Sequence, residues 1–238
     1  MARSAANKRP LNIQIPVNRQ TFDLNTHFMR INSNHNGLKN IIFDLGNVLV
    51  PLEKDRARIE FRKLMPEDSD IKDVFSLVSL DCFPQYEIGQ ISSSEFFNCL
   101  KPYFRSDITQ EDFFHAWGQI IGDFPPEHVE MLKELRKRYN LYLLSNTNEG
   151  HVKNFEKKVP GVNHIGDLFE KVYYSHIEGL RKPQPEIYKL VLEQNKLAPQ
   201  ETLFADDLAQ NIEAARTLGI QTIHVTPDVE LPKWFSGL

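Results

Sequence analysis

Short apolar runs recur along the chain, and each one ends in turn or polar residues. The runs lie at 41–43, 141–145, 171–174, 202–205 and 221–225. A short apolar run bounded by turn residues is typical of a strand that is buried on both faces of a parallel sheet. The pattern therefore predicts five strands, the first of which starts at Ile41.

Helical spacing fills the stretches between the later strands. Apolar residues three and four positions apart share one helical face, and this spacing occurs at 127–139, 185–195 and 208–218. Gly219 follows the last of these stretches and predicts a helix end. Strands that alternate with helices predict an α/β fold of three layers, with a Rossmann-like parallel sheet between two layers of helices.

The segment 52–124 breaks this alternation. It carries helical patterns and no convincing strand, and the patterns lie at 54–65, 70–79, 93–103 and 110–121. We therefore predict a helical domain at 52–124 that is inserted into a core formed by 38–51 and 125–238.

Residues 1–37 differ in texture from the rest of the chain. They are polar, with scattered Asn, Arg and Pro, and Asp23 is their one acidic residue. The stretch 11–17 alternates apolar and polar residues and fits a short edge strand, which Pro16 weakens. We predict an N-terminal extension that is partly disordered.

Composition excludes some classes of protein. The net charge is −4, with 41% hydrophobic and 25% charged residues, which is ordinary for a globular protein and unlike a general nucleic-acid binder. No apolar run approaches the ~20 residues needed to cross a bilayer. The two cysteines, Cys82 and Cys99, show no metal-ligand spacing, so we expect free thiols in a reducing compartment and a cytoplasmic protein.

Polar residues cluster where the predicted strands end. They are Asp44 after the first strand, Ser145, Asn146 and Thr147 after the second, Arg181 and Lys182 in the loop after the third, and Asp206 and Asp207 after the fourth. The carboxyl ends of parallel strands share one edge of a sheet, so these side chains can converge. Each motif alone has a structural explanation as a turn, a helix cap or a surface lysine. Their combination at one edge favours a functional site.

The residue types in this set are chemically coherent. Three carboxylates at one point repel each other unless a cation lies between them. Oxygen ligands alone favour a hard ion such as Mg²⁺. A lysine, a hydroxyl and backbone amides suit a phosphate dianion. A carboxylate that faces a metal-bound phosphate can attack phosphorus and form an acyl phosphate.

The ordered motifs FDLGNV, LLSN, RKP and FADD resemble the four motifs of the haloacid dehalogenase superfamily over roughly 38–238. Within that superfamily the chain is similar to sugar-phosphate phosphatases of the α-D-glucose-1-phosphate phosphatase subgroup. The resemblance implies a Mg²⁺-dependent phosphatase, with the segment 52–124 as a cap that closes over the substrate.

The resemblance also implies a role for each motif residue. Asp44 would be the nucleophile, Lys182 would pair with it and with phosphate, and Ser145 would hold the phosphoryl oxygens. The metal ligands would be Asp44, the Gly46 carbonyl, Asp206 and Asp207. Gly46, Asn146, Thr147 and Arg181 would bind the substrate, with the Asn146 amide beside Ser145 at the phosphoryl oxygens.

In the resembled subgroup, the stretch 81–92 faces the active site. This implies substrate contacts for Phe83, Tyr86 and Glu87, although Phe83 as a core residue and Glu87 as a surface residue remain alternatives. Ser92 and Glu95 fit an N-terminal capping box. Outside this stretch, we expect Trp117 to pack inside the insert and His151 to be a surface histidine.

One position departs from the superfamily pattern. Most of its phosphatases carry a second Asp two residues after the nucleophile as the general acid, and here that position is Gly46. The chain could be an active phosphatase with slower chemistry or with a substrate that has a better leaving group, a 2-haloacid dehalogenase, or a non-catalytic phosphate-binding protein. The paired carboxylates favour the first, because halide displacement needs no metal.

The function we predict is hydrolysis of a small phosphorylated metabolite through phospho-Asp44. The substrate would be a sugar phosphate, with an aldose 1-phosphate preferred because an anomeric hydroxyl is more acidic than an ordinary alcohol. We expect a small-molecule phosphate ester as partner, and neither nucleic acid nor a membrane. The sequence does not distinguish a monomer from a dimer.

Overall fold

A computed structural model describes residues 37–238 and contains one five-stranded sheet. All neighbouring strands are parallel, in the order β3-β2-β1-β4-β5. The strands are β1 (Asn40–Phe43), β2 (Asn140–Ser145), β3 (Lys171–Tyr174), β4 (Thr202–Asp206) and β5 (Gln221–His224). Each predicted strand is present, and the predicted α/β fold is confirmed. The predicted extension at 1–37, with its edge strand at 11–17, lies outside the described residues except for Gly37.

Ten α-helices lie in the described part of the chain. They are α1 (Lys54–Leu64), α2 (Cys82–Glu87), α3 (Ser93–Leu100), α4 (Gln110–Gly118), α5 (Pro126–Leu135), α6 (Glu149–Phe155), α7 (Ser175–Glu178), α8 (Pro185–Asn195), α9 (Ala209–Thr217) and α10 (Leu231–Ser236). None of these helices has the length and apolar character that a membrane span requires.

Alternating side chains of β1, β2, β3 and β4 enter two different cores. In β1, Ile41 and Phe43 pack with helices α5, α6 and α10, whereas Ile42 packs with α8 and α9 on the opposite face. This alternation follows from the two-residue period of a strand. It explains why the strands are apolar throughout and why the sheet has helices on both sides. The Phe235 ring of α10 lies 5.2 Å from the Phe43 ring, so the C-terminal segment docks on the core.

The segment 52–124 has its own hydrophobic core. Its fully buried aromatic residues include Phe61, Phe96 and Phe113, and no strand of the sheet contributes to this cluster. Three predicted helices match α1, α3 and α4, and the predicted capping box of Ser92 and Glu95 is present. The predicted stretch 70–79 forms only a short 3₁₀ helix at Val74–Ser79, and α2 was not predicted.

The two cysteines do not match their prediction as free thiols. Cys82, the first residue of α2, forms a disulfide with Cys99 in α3, and their Cα atoms are 6.6 Å apart. The sequence did not indicate that these cysteines pair, because a spacing of 17 residues matches no cysteine motif. Pairing depends on how the two helices pack, which only the folded insert determines.

Helix α2 packs closely against the core at Gly89, just after its C-terminal end. This glycine has a φ of +69°, and a β-carbon there would lie 2.1 Å from the His176 carbonyl oxygen of α7. Any other residue at position 89 would therefore clash with fixed backbone. The two chain segments that connect insert and core also pair with each other, through hydrogen bonds from Glu53 N to Ile120 O and from Gly122 N to Pro51 O.

Candidate active site

Lys182 lies at the centre of the site, between two carboxylates. Its Nζ atom is 2.7 Å from Asp44 Oδ1 and 2.7 Å from Asp206 Oδ2, and its side chain is 1% exposed. Burial alone would lower the pKa of Lys182, but the charges of Asp44 and Asp206 outweigh it and raise that pKa above its usual value. Lys182 is therefore a fixed positive charge at the end of β1.

Asp44 follows β1 directly and shares that lysine. Burial raises the pKa of Asp44 to about 7, against the opposing effect of Lys182, and the charge of Asp206 adds to the rise. A cation beside Asp44 would favour its ionised form. Asp44 thus lies where a positive charge determines whether its carboxylate is available for chemistry.

Asp206 is fully buried and held on all sides. Its carboxylate accepts hydrogen bonds from Leu208 N at 2.8 Å and from Asn211 Nδ2 at 2.9 and 3.1 Å, besides the lysine. Asn211, in the first turn of α9, was missed by the sequence analysis. The available signal was a polar residue next to the apolar residues Ile212 and Ala215 on the buried face of this helix.

Asp207 is oriented by a second residue that the sequence analysis missed. Asn47 Nδ2 donates to Asp207 Oδ2 at 2.9 Å, and Asn47 Oδ1 accepts from Leu52 N at 3.2 Å. Asn47 has a φ of +55°, a left-handed conformation that asparagine tolerates better than most residues. Its backbone and side chain together connect the Asp44 loop to Asp207.

The three carboxylates of Asp44, Asp206 and Asp207 converge. Each offers an oxygen atom within 4.8 Å of the other two. An all-oxygen set of this size fits a hard divalent cation such as Mg²⁺. Three negative charges beside a single lysine leave an excess of negative charge that a cation would balance.

The loop after β2 positions the lysine. The Asn146 side chain both donates to Lys182 O at 2.8 Å and accepts from Lys182 N at 2.9 Å. Ser175, which sequence reasoning missed, donates to Thr147 O and accepts from Thr147 N, each at 2.9 Å. Ser145 is buried at the end of β2. The structure thus brings the motifs after β1, β2 and β4 and the lysine loop to one edge of the sheet.

Gly46 lies against Leu52. A β-carbon at position 46 would lie 3.1–3.3 Å from three atoms of the Leu52 side chain. An aspartate could occupy position 46 only if the Leu52 side chain moved. The packing around this position therefore fits a glycine better than the aspartate that most of these phosphatases carry there.

Helix α2 brings the insert to the site. Glu87 forms an ion pair with Arg181, the residue before Lys182. The distance between Glu87 Oε2 and Arg181 Nη1 is 2.6 Å. Burial raises the pKa of Glu87, opposed by the charges of Arg181 and Lys182. Tyr86 instead holds the insert on the core, because its hydroxyl accepts from Gly150 N at 3.0 Å. Phe83 is half-buried, 6.1 Å from the ring of Trp117.

The expectation that His151 is a surface residue was wrong. Its ring stacks on Trp117 with 5.0 Å between centroids, and burial lowers its pKa to about 3. Trp117 packs in the insert as expected, but its indole also donates to Asn148 Oδ1 at 3.1 Å. The contact between insert and core therefore covers His151, which the sequence alone could not indicate.

Comparison with known proteins agrees with this geometry. The sequence matches the family model of haloacid dehalogenase-like hydrolases over residues 38–219. The chain therefore belongs to this family and is a hydrolase.

Two curated relatives and one solved structure cover most of the chain. D-ribitol-5-phosphate phosphatase from Bacteroides thetaiotaomicron is 32% identical over 191 residues, which span 78% of this chain and 90% of that protein. Sesquiterpene phosphatase from Aspergillus oryzae is 25% identical over 191 residues, which span 79% and 90%. A haloacid dehalogenase family enzyme from B. thetaiotaomicron, in complex with magnesium and inorganic phosphate, matches with a TM-score of 0.76 and 33% identity, covering 84% of this chain and 100% of that one.

Proposed function

We propose that this hydrolase is a Mg²⁺-dependent phosphatase that acts on a small phosphorylated metabolite through phospho-Asp44. The observation that carries the proposal is the lysine that bridges Asp44 and Asp206 beside a third carboxylate. The relatives named as phosphatases and the family enzyme with bound magnesium and phosphate support it.

In the first step, Asp44 attacks phosphorus and the ester oxygen departs with the bond electrons, taking a proton from solvent. Water then attacks phospho-Asp44, which releases phosphate and regenerates the carboxylate. The Lys182 ammonium group, the Ser145 hydroxyl and polar groups of Asn146 and Thr147 would hold the phosphoryl oxygens. Asp44, the Gly46 carbonyl, Asp206 and Asp207 would hold Mg²⁺, which supplies charge neutralisation to the transferring group.

The finer proposal concerns the leaving group. Loss of a positioned general acid costs ~10²–10⁴ in rate, and the cost shrinks when the leaving oxygen is a weak base. Gly46 and the adjacent Leu52 leave this acid out. We propose a sugar phosphate, with an aldose 1-phosphate favoured as in the α-D-glucose-1-phosphate phosphatases. Glu87 and Arg181 offer an acceptor and a donor for sugar hydroxyls beside the lysine.

A dehalogenase fits the site less well. Halide displacement at carbon needs no metal, yet Asn47 and Asn211 orient Asp207 and Asp206 toward a common point. The relatives named for D-ribitol 5-phosphate and for a sesquiterpene have different leaving groups, so relatedness alone leaves the leaving group open.

The test is phosphate release from a panel of esters, with and without Mg²⁺, by wild type, Asp44→Asn and Asp107→Asn. We expect Mg²⁺-dependent release that falls at least ~10³-fold in Asp44→Asn. Asp107 is exposed and pairs with Arg105 at the surface of the insert, so Asp107→Asn should match wild type. Glucose 1-phosphate should be hydrolysed faster than glucose 6-phosphate.

Different failures reject different parts of the proposal. Equal rates on the two glucose phosphates would reject the leaving-group argument and leave the phosphatase intact. Full activity in Asp44→Asn would reject the nucleophile. No release from any ester would reject the phosphatase, and a 2-haloacid assay would follow.

A further inference from the structure

The insert contains an apolar cavity of about 280 Å³. Aromatic and aliphatic side chains form most of its wall. The lining includes Ala57, Phe61, Val78, Phe83, Trp117 and His151. An engineered apolar cavity of about 150 Å³ holds benzene, so this one has room for an aromatic ring or a six-carbon chain.

Helix α2 connects this cavity to the catalytic edge of the sheet. Phe83, which lines the cavity, and Glu87, which pairs with Arg181, are four residues apart and therefore on one face of α2. Arg181 precedes Lys182, whose Nζ contacts Asp44. Phe83 in the cavity wall thus lies about one helical turn, ~6 Å along the axis of α2, from Glu87, which pairs with the residue before the catalytic lysine.

His151 supplies a polar group in the cavity wall. Asn148 Oδ1 accepts from Trp117 Nε1 and from His151 N, so its Nδ2 donates to His151 Nδ1 at 3.2 Å. Nδ1 is then the acceptor, and the neutral ring carries its proton on Nε2. Nε2 is buried from solvent and, among the described residues, forms no hydrogen bond of ordinary geometry, although the Trp117 backbone opposes the fall in the pKa of His151. His151 therefore adds a neutral ring to the lining of the cavity.

We propose that this cavity binds an apolar group, aryl or alkyl, carried by the leaving group of the substrate. The inference rests on the proposed phosphatase activity and not on the proposed preference for an unsubstituted sugar phosphate. The substrate would be an amphiphilic phosphate: the phosphate at Lys182, a short polar segment beside Glu87 and Arg181, and an apolar end between Phe83 and Trp117. An unsubstituted sugar phosphate occupies only the polar part.

Binding of alkylphosphonates tests the cavity without turnover, because their C–P bond replaces the ester bond. In the presence of Mg²⁺, each methylene should tighten binding about fourfold if fully buried, and about two- to threefold if it stays partly in contact with water. We therefore expect hexylphosphonate to bind wild type on the order of 100-fold more tightly than methylphosphonate, measured by calorimetry.

Two matched variants locate the effect. Val78 lines the cavity and is 38% exposed, so Val78→Phe can fill the mouth without burying new volume in the core. It should reduce the ratio to less than about fivefold while methylphosphonate binding stays unchanged. Ile59→Phe, on the same insert but 61% exposed and outside the lining, should keep the wild-type ratio.

Equal affinities for the two phosphonates, no binding of hexylphosphonate, or an unchanged ratio in Val78→Phe would overturn the inference. Rates on methyl and hexyl phosphate separate it from the proposed function. Turnover without dependence on chain length rejects the cavity and keeps the phosphatase. Chain-length-dependent binding by a protein that hydrolyses no ester keeps the cavity and rejects the phosphatase.

Discussion

Single side chains in the site are defined by the charges around them. Lys182 is the shared partner of Asp44 and Asp206, and its burial makes each contact strong in a medium of low dielectric. Removing one partner from such a group leaves an uncompensated buried charge. The Asn146 side chain holds the backbone of Lys182 from both sides, which fixes where this charge lies.

The lowered pKa of His151 makes the stability of the folded protein depend on pH. Its pKa is about 3 in the folded protein and about 6.5 when exposed, so between these values the unfolded chain binds more protons. Stability from this residue is therefore present above pH 6.5 and falls as the pH drops. From pH 6.5 to pH 5 we expect a loss of at most about 2 kcal/mol in wild type, measured by urea unfolding.

Two variants isolate the contribution of His151. His151→Gln should lower stability at pH 7 by loss of its stacking on Trp117, but its stability should depend less on pH below 6.5. His115→Gln, at an exposed position of α4, should keep the wild-type dependence. An identical pH dependence in His151→Gln and wild type would contradict a buried neutral imidazole.

Helix α2 makes several of the contacts by which the insert meets the core. Its residues supply the ion pair of Glu87, the hydrogen bond of Tyr86 and the cavity wall at Phe83, and the Cys82 disulfide anchors its first turn. A helix of six residues has little stability of its own, so these contacts must maintain it.

The disulfide between Cys82 and Cys99 should stabilise the folded protein. Closing a loop of this size, with a separation of 17 residues, stabilises a protein by about 3 kcal/mol. We expect Cys99→Ser to lower the free energy of unfolding by about 2–3 kcal/mol under oxidising conditions. In reductant, wild type and variant should unfold together. Equal stability without reductant would mean that the two thiols remain unpaired.

Sequence patterns predicted the core far better than the insert. Each strand of the sheet is a self-contained apolar run, and the position of Asp44 or Asp206 at a strand end follows from parallel topology alone. In the insert, α2 is too short to show a helical period, and Cys82 meets Cys99 only through packing. Asn47 and Asn211 were missed because they act through other side chains.

Among the described residues, Asp44, Asp206 and Asp207 form a site where negative charge exceeds positive charge, and this predicts how the protein responds to Mg²⁺. A ligand that binds only the folded state stabilises it by about 2.7 kcal/mol at a hundred times its Kd. We therefore expect Mg²⁺ to raise the unfolding temperature of wild type, measured by calorimetry.

Asp207→Asn should reverse the order of stabilities. Without metal, the variant should be at least as stable as wild type, because one repelling carboxylate is removed. With Mg²⁺, wild type should become the more stable protein. Asp107→Asn serves as the surface control and should follow wild type in both conditions. An equal Mg²⁺ shift in Asp207→Asn would exclude this carboxylate as a ligand.

The origin of the cavity wall has a consequence for evolution. Apart from His151, every residue that lines the cavity belongs to the segment 52–124, whereas the three converging carboxylates and the lysine belong to the rest of the chain. Mutations in the lining can therefore accumulate in a duplicated gene while selection preserves the chemistry. Proteins that descend from one ancestor can in this way acquire different substrate specificities for phosphate esters while they keep the same reaction centre.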